Sequence, residues 1–248
     1  GVYYWSHLLW IESPATLWIA HLAALAVMAM LVVGFFSRTC AVLTFLITVS
    51  YMHRATGALF GLDQINVMLA MYLMVGPCGA RYSIDRWLAS RKQGNAPVAD
   101  SVAGNIAIRL IQIHMCVIYF FAGTRKLMGD TWWDGSAMWY SIANYEYQSV
   151  DMTWLVAWPM AIAVLTHVTI LFEVSYCVLI WNRLTRPVML TLAVVLHLGI
   201  AMCMGMATFG LAMLIGNLAF ISSPLVRAVV ERKKTSPARQ QAASNPGN

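Results

Sequence analysis

Two adjacent cations close a long apolar stretch of this chain. From Ile106 the sequence climbs through His114 and Tyr119 to Ala122 and Gly123. It then delivers Arg125 and Lys126 beside Asp130, Trp132, Trp133 and Asp134. An ammonium group in that position has two fates. Long cationic side chains snorkel from a helix end to lipid headgroups, which leaves them without chemistry. A lysine held in a dry pocket, where its charged form is poorly solvated, can instead serve as a general base. Gln112, Cys116, Tyr119, Gly123 and Lys126 follow one another at alternating intervals of four and three, so a helix carries them on one face. Gln112, Tyr119 and Lys126 would line one seam.

Other polar residues interrupt apolar segments. Glu173 stands near the middle of one and must be paired or protonated there; a structural pair and a role in a site both fit. Asp63 begins another, either as a favourable anion in a first helical turn or as a partner for Lys126. His114, His167 and His197 fall roughly 10 to 15 Å below the outer ends of their segments at 1.5 Å per residue. That shared depth suits hydrogen bonds between helices, and also ligation of a metal or a b-type haem. Cys40, Cys78, Cys116, Cys177 and Cys203 contain no CxxC spacing and read as small packing residues, and the 16 Met residues form no ligand cluster. No metal is expected.

The elements that must position these groups follow from composition. Hydrophobic residues make up 60% and charged residues 10%, with a mean hydropathy of +0.68, far from soluble proteins, in which about a quarter of residues are charged. The apolar residues come in blocks of roughly 17 to 25, the length of a membrane-crossing helix, and no block alternates as a barrel strand does. The fold class is therefore all-α, a polytopic membrane bundle of about seven helices near 15–36, 40–51, 62–75, 106–124, 160–181, 187–204 and 206–221, with Ser37, Arg38 and Thr39 as the first loop. Residues 1–14 read as an interfacial aromatic segment, 15–222 as the transmembrane domain, and 223–248 as a basic, disordered tail. Residues 80–105 read as a polar loop and 125–152 as a long acidic one.

The net charge of +6 does not point to nucleic acid, because the basic residues sit in short loops and the tail. They fall on alternate loops, with Arg54 the exception, which predicts the N-terminus outside and the C-terminus in the cytoplasm; the expected location is a bacterial inner membrane. One further helix upstream of Gly1 would account for that asymmetry. On this topology Arg125 and Lys126 sit at the outer tip of their helix, on the same side as His53, Arg54 and Asp63.

Several short patterns now combine. Ala122-Gly123-x-x-Lys126-Leu127 is followed by Trp133-x-Gly135, a helix ends at Gly76-Pro77 before Tyr82-Ser83-Ile84-Asp85-Arg86, and His197 stands two residues before Gly199. In this order and spacing they resemble the HTTM (horizontally transferred transmembrane domain) family, which includes the vitamin K-dependent gamma-glutamyl carboxylases. The resemblance covers most of the chain. It implies an outward-facing site in a helical bundle, where the lysine at position 126 deprotonates a reduced naphthoquinone that oxygen then converts to an epoxide. Lys126 is accordingly the expected catalytic base. Asp63, Gln64, Tyr119, Arg125 and Glu173 are the expected substrate-binding residues; Asp63 and Gln64 stand near the place of an Asn-His pair in the carboxylases. The expected partners are the lipid bilayer and a lipid-soluble quinol. The alternative is a lipid-binding or transport protein without catalysis.

Overall fold

The computed structural model of the chain describes residues 6–94, 98–226 and 228. The expected interfacial residues Tyr3, Tyr4 and Trp5, the linker residues 95–97 and most of the basic tail lie outside them. Ten α-helices appear among the described residues, with short 3-10 turns and no strand: α1 (Pro14–Val33), α2 (Ser37–Arg54), α3 (Gly61–Val75), α4 (Ile84–Gln93), α5 (Val102–Lys126), α6 (Asp130–Trp133), α7 (Ala137–Ile142), α8 (Pro159–Leu179), α9 (Arg186–Cys203) and α10 (Ala207–Asn217). Helices fill all seven predicted apolar blocks. Four of them, α1, α5, α8 and α9, are long and apolar enough to cross a membrane, while α3 and α10 with its 3-10 extension to Phe220 are shorter apolar helices.

Two predicted loops contain helices. In the polar segment, Ser83 starts α4 by accepting the amide of Arg86 at 3.0 Å, and Ser101 starts α5 four residues before the apolar run by accepting the amide of Gly104 at 3.1 Å. These side-chain caps, not hydrophobicity, set both boundaries. The acidic loop contains α6 and α7. Thr166 of α8 holds them by donating to the Gly135 carbonyl at 2.9 Å and accepting the Met138 amide at 3.1 Å.

The Tyr82–Arg86 pattern builds a joint rather than a site. The α1–α2 turn uses left-handed backbone at Gly34 and Phe36, which leaves the first amides of α2 without helical partners. Asp85 supplies them from α4. Its carboxylate accepts the Phe36 amide at 3.0 Å, the Ser37 amide at 2.8 Å and the Ser37 hydroxyl at 2.7 Å. The Ser37 hydroxyl, with the two amides, holds the Asp85 carboxyl below the usual carboxylate range. Arg38 donates to the Gly76 carbonyl at 3.0 Å, tying in the end of α3. A Cβ on Gly79, where φ is +81°, would lie 2.2 Å from the Ser37 hydroxyl oxygen, so only glycine fits there.

The core joins α3, α5, α8, α9 and α10 through Ile65, Met68, Met115, Phe172, Tyr176, Met189 and Met213. Of α1 only Ala24 is buried, and Trp18, Ile19, Leu22 and Val32 are exposed, as on a helix that faces lipid. Antiparallel α5 and α8 form the central pair. The ring of Tyr119 lies 4.1 Å from that of Tyr176, and Gly123 abuts Val174. Helix α5 stops three residues later, so roughly 15 to 20 Å of α8 continues past its end, with α6 and α7 alongside.

Candidate functional site

Gly123 is the reason the α5 end meets α8. A Cβ built on it would lie 2.8 Å from Val174 Cγ2, 2.9 Å from the Val174 backbone nitrogen and 3.1 Å from Glu173 Cβ. Those separations are below ordinary contact, so a side chain there would push the helices apart. The close approach places Lys126 against Glu173. Lys126 Nζ donates to both carboxylate oxygens, at 2.8 Å to Oε1 and 2.6 Å to Oε2. Glu173 is buried, and the Lys126 side chain is 23% exposed, so the pair has one dry and one wetter partner. The Trp132 ring of α6 stands over the amine, with Nζ 5.1 Å from its centroid, within reach of a cation–π attraction.

Both sequence puzzles resolve here. Glu173 is paired, and its partner is the cation from the opening motif. The Lys126 amine is held by Glu173 of α8 and faced by the Trp132 ring of α6. Arg125 is exposed, and with Phe121, Ala122, Lys126 and Trp132 it lines an open pocket beside the pair. Asp134, the nearby acid, turns to Ser136 and accepts its amide at 2.8 Å and its hydroxyl at 2.5 Å.

The predicted seam is one buried face. Gln112, Cys116, Tyr119 and Gly123 are all buried. At the end far from Lys126, Gln112 accepts from Arg109 at 2.9 Å and donates to the Ala219 carbonyl at 2.7 Å. Tyr119 anchors a polar network inside the apolar core, and donor and acceptor roles in it can be assigned by elimination. The Asn217 amide nitrogen lies 2.9 Å from the Met213 carbonyl, which can only accept, so the nitrogen is correctly placed. Its second hydrogen goes to the Tyr119 hydroxyl at 3.0 Å, and its oxygen accepts from the Tyr176 hydroxyl at 2.7 Å. Tyr119 therefore directs its own hydrogen to His197 Nε2, 2.7 Å away. The neutral ring must then carry its hydrogen on Nδ1, and that buried atom has no hydrogen-bond partner.

The expected site residues do not all converge. Asp63 takes the role of a helix-start anion, accepting the Phe60 amide at 2.8 Å, and Lys126 pairs with Glu173 instead of Asp63. Gln64 is exposed on α3. Arg54 donates to the Leu8 carbonyl of the N-terminal 3-10 turn. The three membrane histidines are engaged separately: His114 with the Tyr72 hydroxyl at 2.9 Å, His197 with Tyr119, and His167 with the Ala163 carbonyl of its own helix at 2.7 Å. No group of three or more His, Cys, Asp or Glu side chains able to hold a metal ion occurs among the described residues. Sequence reasoning missed Asn217 and Tyr176. An amide within an apolar helix was the available signal for Asn217; Tyr176 carries no signal that separates it from any other core aromatic.

Next to the network lies an apolar cavity of about 230 Å³ between α7, α8 and α9, walled by Met138, Leu165, Phe172, Leu196 and Ile200. Thr169 also lines it, but its hydroxyl is used by the Leu165 carbonyl at 2.8 Å. Phe172 joins cavity to network, since its ring packs edge-on against Tyr119 at 5.2 Å. The arrangement offers an apolar chamber, a buried polar network on one flank, and an ion pair one residue along α8 from the shared wall.

No curated protein and no solved structure matches the chain. The family model described as the HTTM domain matches residues 2–224. With its helical bundle, its apolar spans and that match over nearly its whole length, the chain is a multi-pass membrane protein belonging to the HTTM domain family.

Proposed function

We propose that this protein binds a lipid-soluble quinol and removes a proton from it, with Lys126 as the base and Glu173 as its proton-sharing partner. The observation that carries this reading is the two-pronged contact of Lys126 with a buried carboxylate beside an apolar chamber. A proton shared across 2.6 to 2.8 Å can reside on the carboxylate, leaving the amine with a free electron pair able to accept a hydroxyl proton. After that transfer Lys126 is an ammonium and Glu173 a carboxylic acid, so the pair has gained one positive charge. Trp132 and the open side of the amine accommodate it. Arg125, on the rim of the open pocket, attracts an anionic product.

A reduced naphthoquinone fits the residues present through its apolar part, since its prenyl chain matches the cavity walls. Bound there, it would supply the quinol chemistry of the carboxylase relatives, in which oxygen converts quinol to epoxide and water. The chain's own contribution is to orient the ring, exclude water behind Phe172 and Tyr119, and hold the proton at Nζ. We place the protein, as a member of the HTTM family, in a bacterial inner membrane with residues 15–222 as the membrane domain; the alternation of basic residues between loops supports the N-terminus outside and the tail in the cytoplasm.

Purified protein given reduced naphthoquinone and oxygen is expected to form the epoxide, and Lys126→Ala to abolish it. Unchanged turnover in that variant refutes Lys126 as the base. A second reading, a lipid-binding or transport protein, draws on the cavity walls, which hold an acyl chain without any chemistry. It gains if quinone and phospholipid compete for the wild-type protein and no epoxide forms under any condition.

A further inference from the structure

We propose that the apolar cavity between α7, α8 and α9 opens sideways into the bilayer and takes the isoprenoid tail of a membrane-dissolved quinone, with Gly199 as the residue that keeps it open. The identity of the tail rests on the quinone reading above; the entrance and the role of Gly199 rest on the cavity alone. Its walls offer a ligand no charged group, and the hydroxyl of Thr169 among them already donates to the Leu165 carbonyl at 2.8 Å. A cavity of about 230 Å³ with such walls stays dry and takes hydrocarbon, as engineered ones of about 150 Å³ take benzene.

Two wall residues mark the entrance. Val168 belongs both to the cavity and to the exposed stripe Val164, Val168, Leu171 of α8, and Val195 both to the cavity and to the exposed stripe Val188, Val195, Met202 of α9. Val168 is nine residues from the start of α8 and Val195 eight from the end of α9, so each lies roughly 12 to 14 Å from the same end of the bundle. Helices of this length and apolarity cross about 30 Å of hydrocarbon, which puts both valines near its middle. Toward that end of the bundle the cavity is roofed by Met138, Ile142, Met152 and Leu155. Ser149 fastens the roof segment to α9, its amide donating to the Cys203 carbonyl at 3.1 Å and its hydroxyl to the Met202 carbonyl. The open side is thus the lipid side. A phospholipid, held at the interface by its headgroup, reaches that depth only with the middle of an acyl chain, whereas a molecule that dissolves wholly in hydrocarbon delivers the end of its tail there.

Gly199 supplies the space. Glycine inside a helix is unfavourable relative to alanine, so each one calls for a local reason. At Gly123, Gly210 and Gly216 a Cβ would lie 2.5 to 2.8 Å from a neighbour, and those glycines permit close packing. At Gly199, which lines the cavity, a Cβ meets nothing within 4 Å. That glycine permits no contact, and the room it leaves is part of the cavity itself.

The test uses the full chain in detergent and two naphthoquinones, one with a geranyl tail and one with none, with dissociation constants and association rates read from tryptophan quenching. The wild type is expected to bind the tailed molecule about tenfold more tightly, through the contacts its tail makes with the walls. Gly199→Leu should remove that preference while the helical circular dichroism stays intact and the unfolding midpoint in SDS stays unchanged or rises, because the side chain fills space without displacing a neighbour. Val195→Phe should slow association of the tailed quinone, and Val188→Phe, on the same stripe but outside the cavity, should not. Equal affinities in the wild type, a tail preference that survives Gly199→Leu, or unfolding of that variant overturns the proposal and leaves the Lys126 reading standing. Equal association rates for the two valine variants overturn the lateral entrance. Loss of the tail preference when phosphatidylglycerol is titrated into the micelles assigns the cavity to acyl chains and overturns the quinone tail as its occupant. A wild type that binds neither quinone overturns both this proposal and the quinol reading.

Discussion

The Lys126–Glu173 pair predicts an asymmetric double-mutant cycle. Lys126→Met strands a buried carboxylate beside Phe172 and Val174, and breaking a buried pair in this way costs about 3–5 kcal/mol. The partial exposure of the amine lets some water reach the carboxylate side, so the expected loss is about 2–4 kcal/mol. Glu173→Leu strands the better hydrated partner, which keeps the Trp132 face and an open pocket, so its loss should be smaller, about 1–2 kcal/mol. The double variant leaves no charge behind and two apolar side chains of similar volume, and should cost no more than about 1 kcal/mol. The coupling between the sites is then at least about 2 kcal/mol, large for one contact. The measurement is unfolding of the four proteins by SDS titration in mixed micelles, followed by loss of helical circular dichroism. Additive losses, with the double variant as unstable as the sum of the singles, would refute the pair as an energetic unit. Equal losses for the two single variants would refute the assignment of dry and wet partners.

Two further outcomes follow from the packing. Gly123→Val should lower stability by about 1–3 kcal/mol, the range for overpacking, because the obstructing Val174 nitrogen is backbone and cannot rotate away; the Lys126–Glu173 coupling measured in that background should shrink as well, and an intact coupling would show that the helices tolerate the side chain. Asp85 should make the α1–α2 joint acid-sensitive. Its carboxyl is held below the ordinary range by Ser37, so its contribution is present above the unfolded value, about 3.9, and is lost as pH falls through the lower folded value. Asp85→Asn should flatten the dependence of the unfolding midpoint on pH in that acid window, and an unchanged slope would remove Asp85 as its source.

The periodic features were the legible ones. The seam Gln112, Cys116, Tyr119, Gly123 is a buried face of α5 that leads to the half-buried Lys126, because helical spacing alone places those residues together, and Glu173 announced a partner because a carboxylate in an apolar segment requires one. The identity of that partner was not legible. It depends on the register of α5 against α8, which Gly123 sets through its contact with Val174, far away in sequence. Asp63 shows the opposite case: its local role as a helix-start anion was available from position alone, and the structure gives it that role. The helices α4, α6 and α7 escaped because short amphipathic or aromatic helices carry no hydropathy block; their starts rest on Ser83 and on contacts with Thr166. Asn217 escaped because its significance lies in three partners drawn from α5, α8 and its own helix.

The joint around Asp85 also constrains the order in which the protein can be made. The turn between α1 and α2 leaves the ribosome before its cap exists, since the carboxylate that accepts the amides of Phe36 and Ser37 belongs to a residue 48 positions beyond Ser37. The turn between α1 and α2 is thus complete only after α3 and α4 have been synthesised and Asp85 has reached it. Because Arg38 closes on Gly76 at the same joint, the end of α3 arrives together with the missing cap. Every residue that closes this joint therefore precedes α5, and with it Lys126, in the chain.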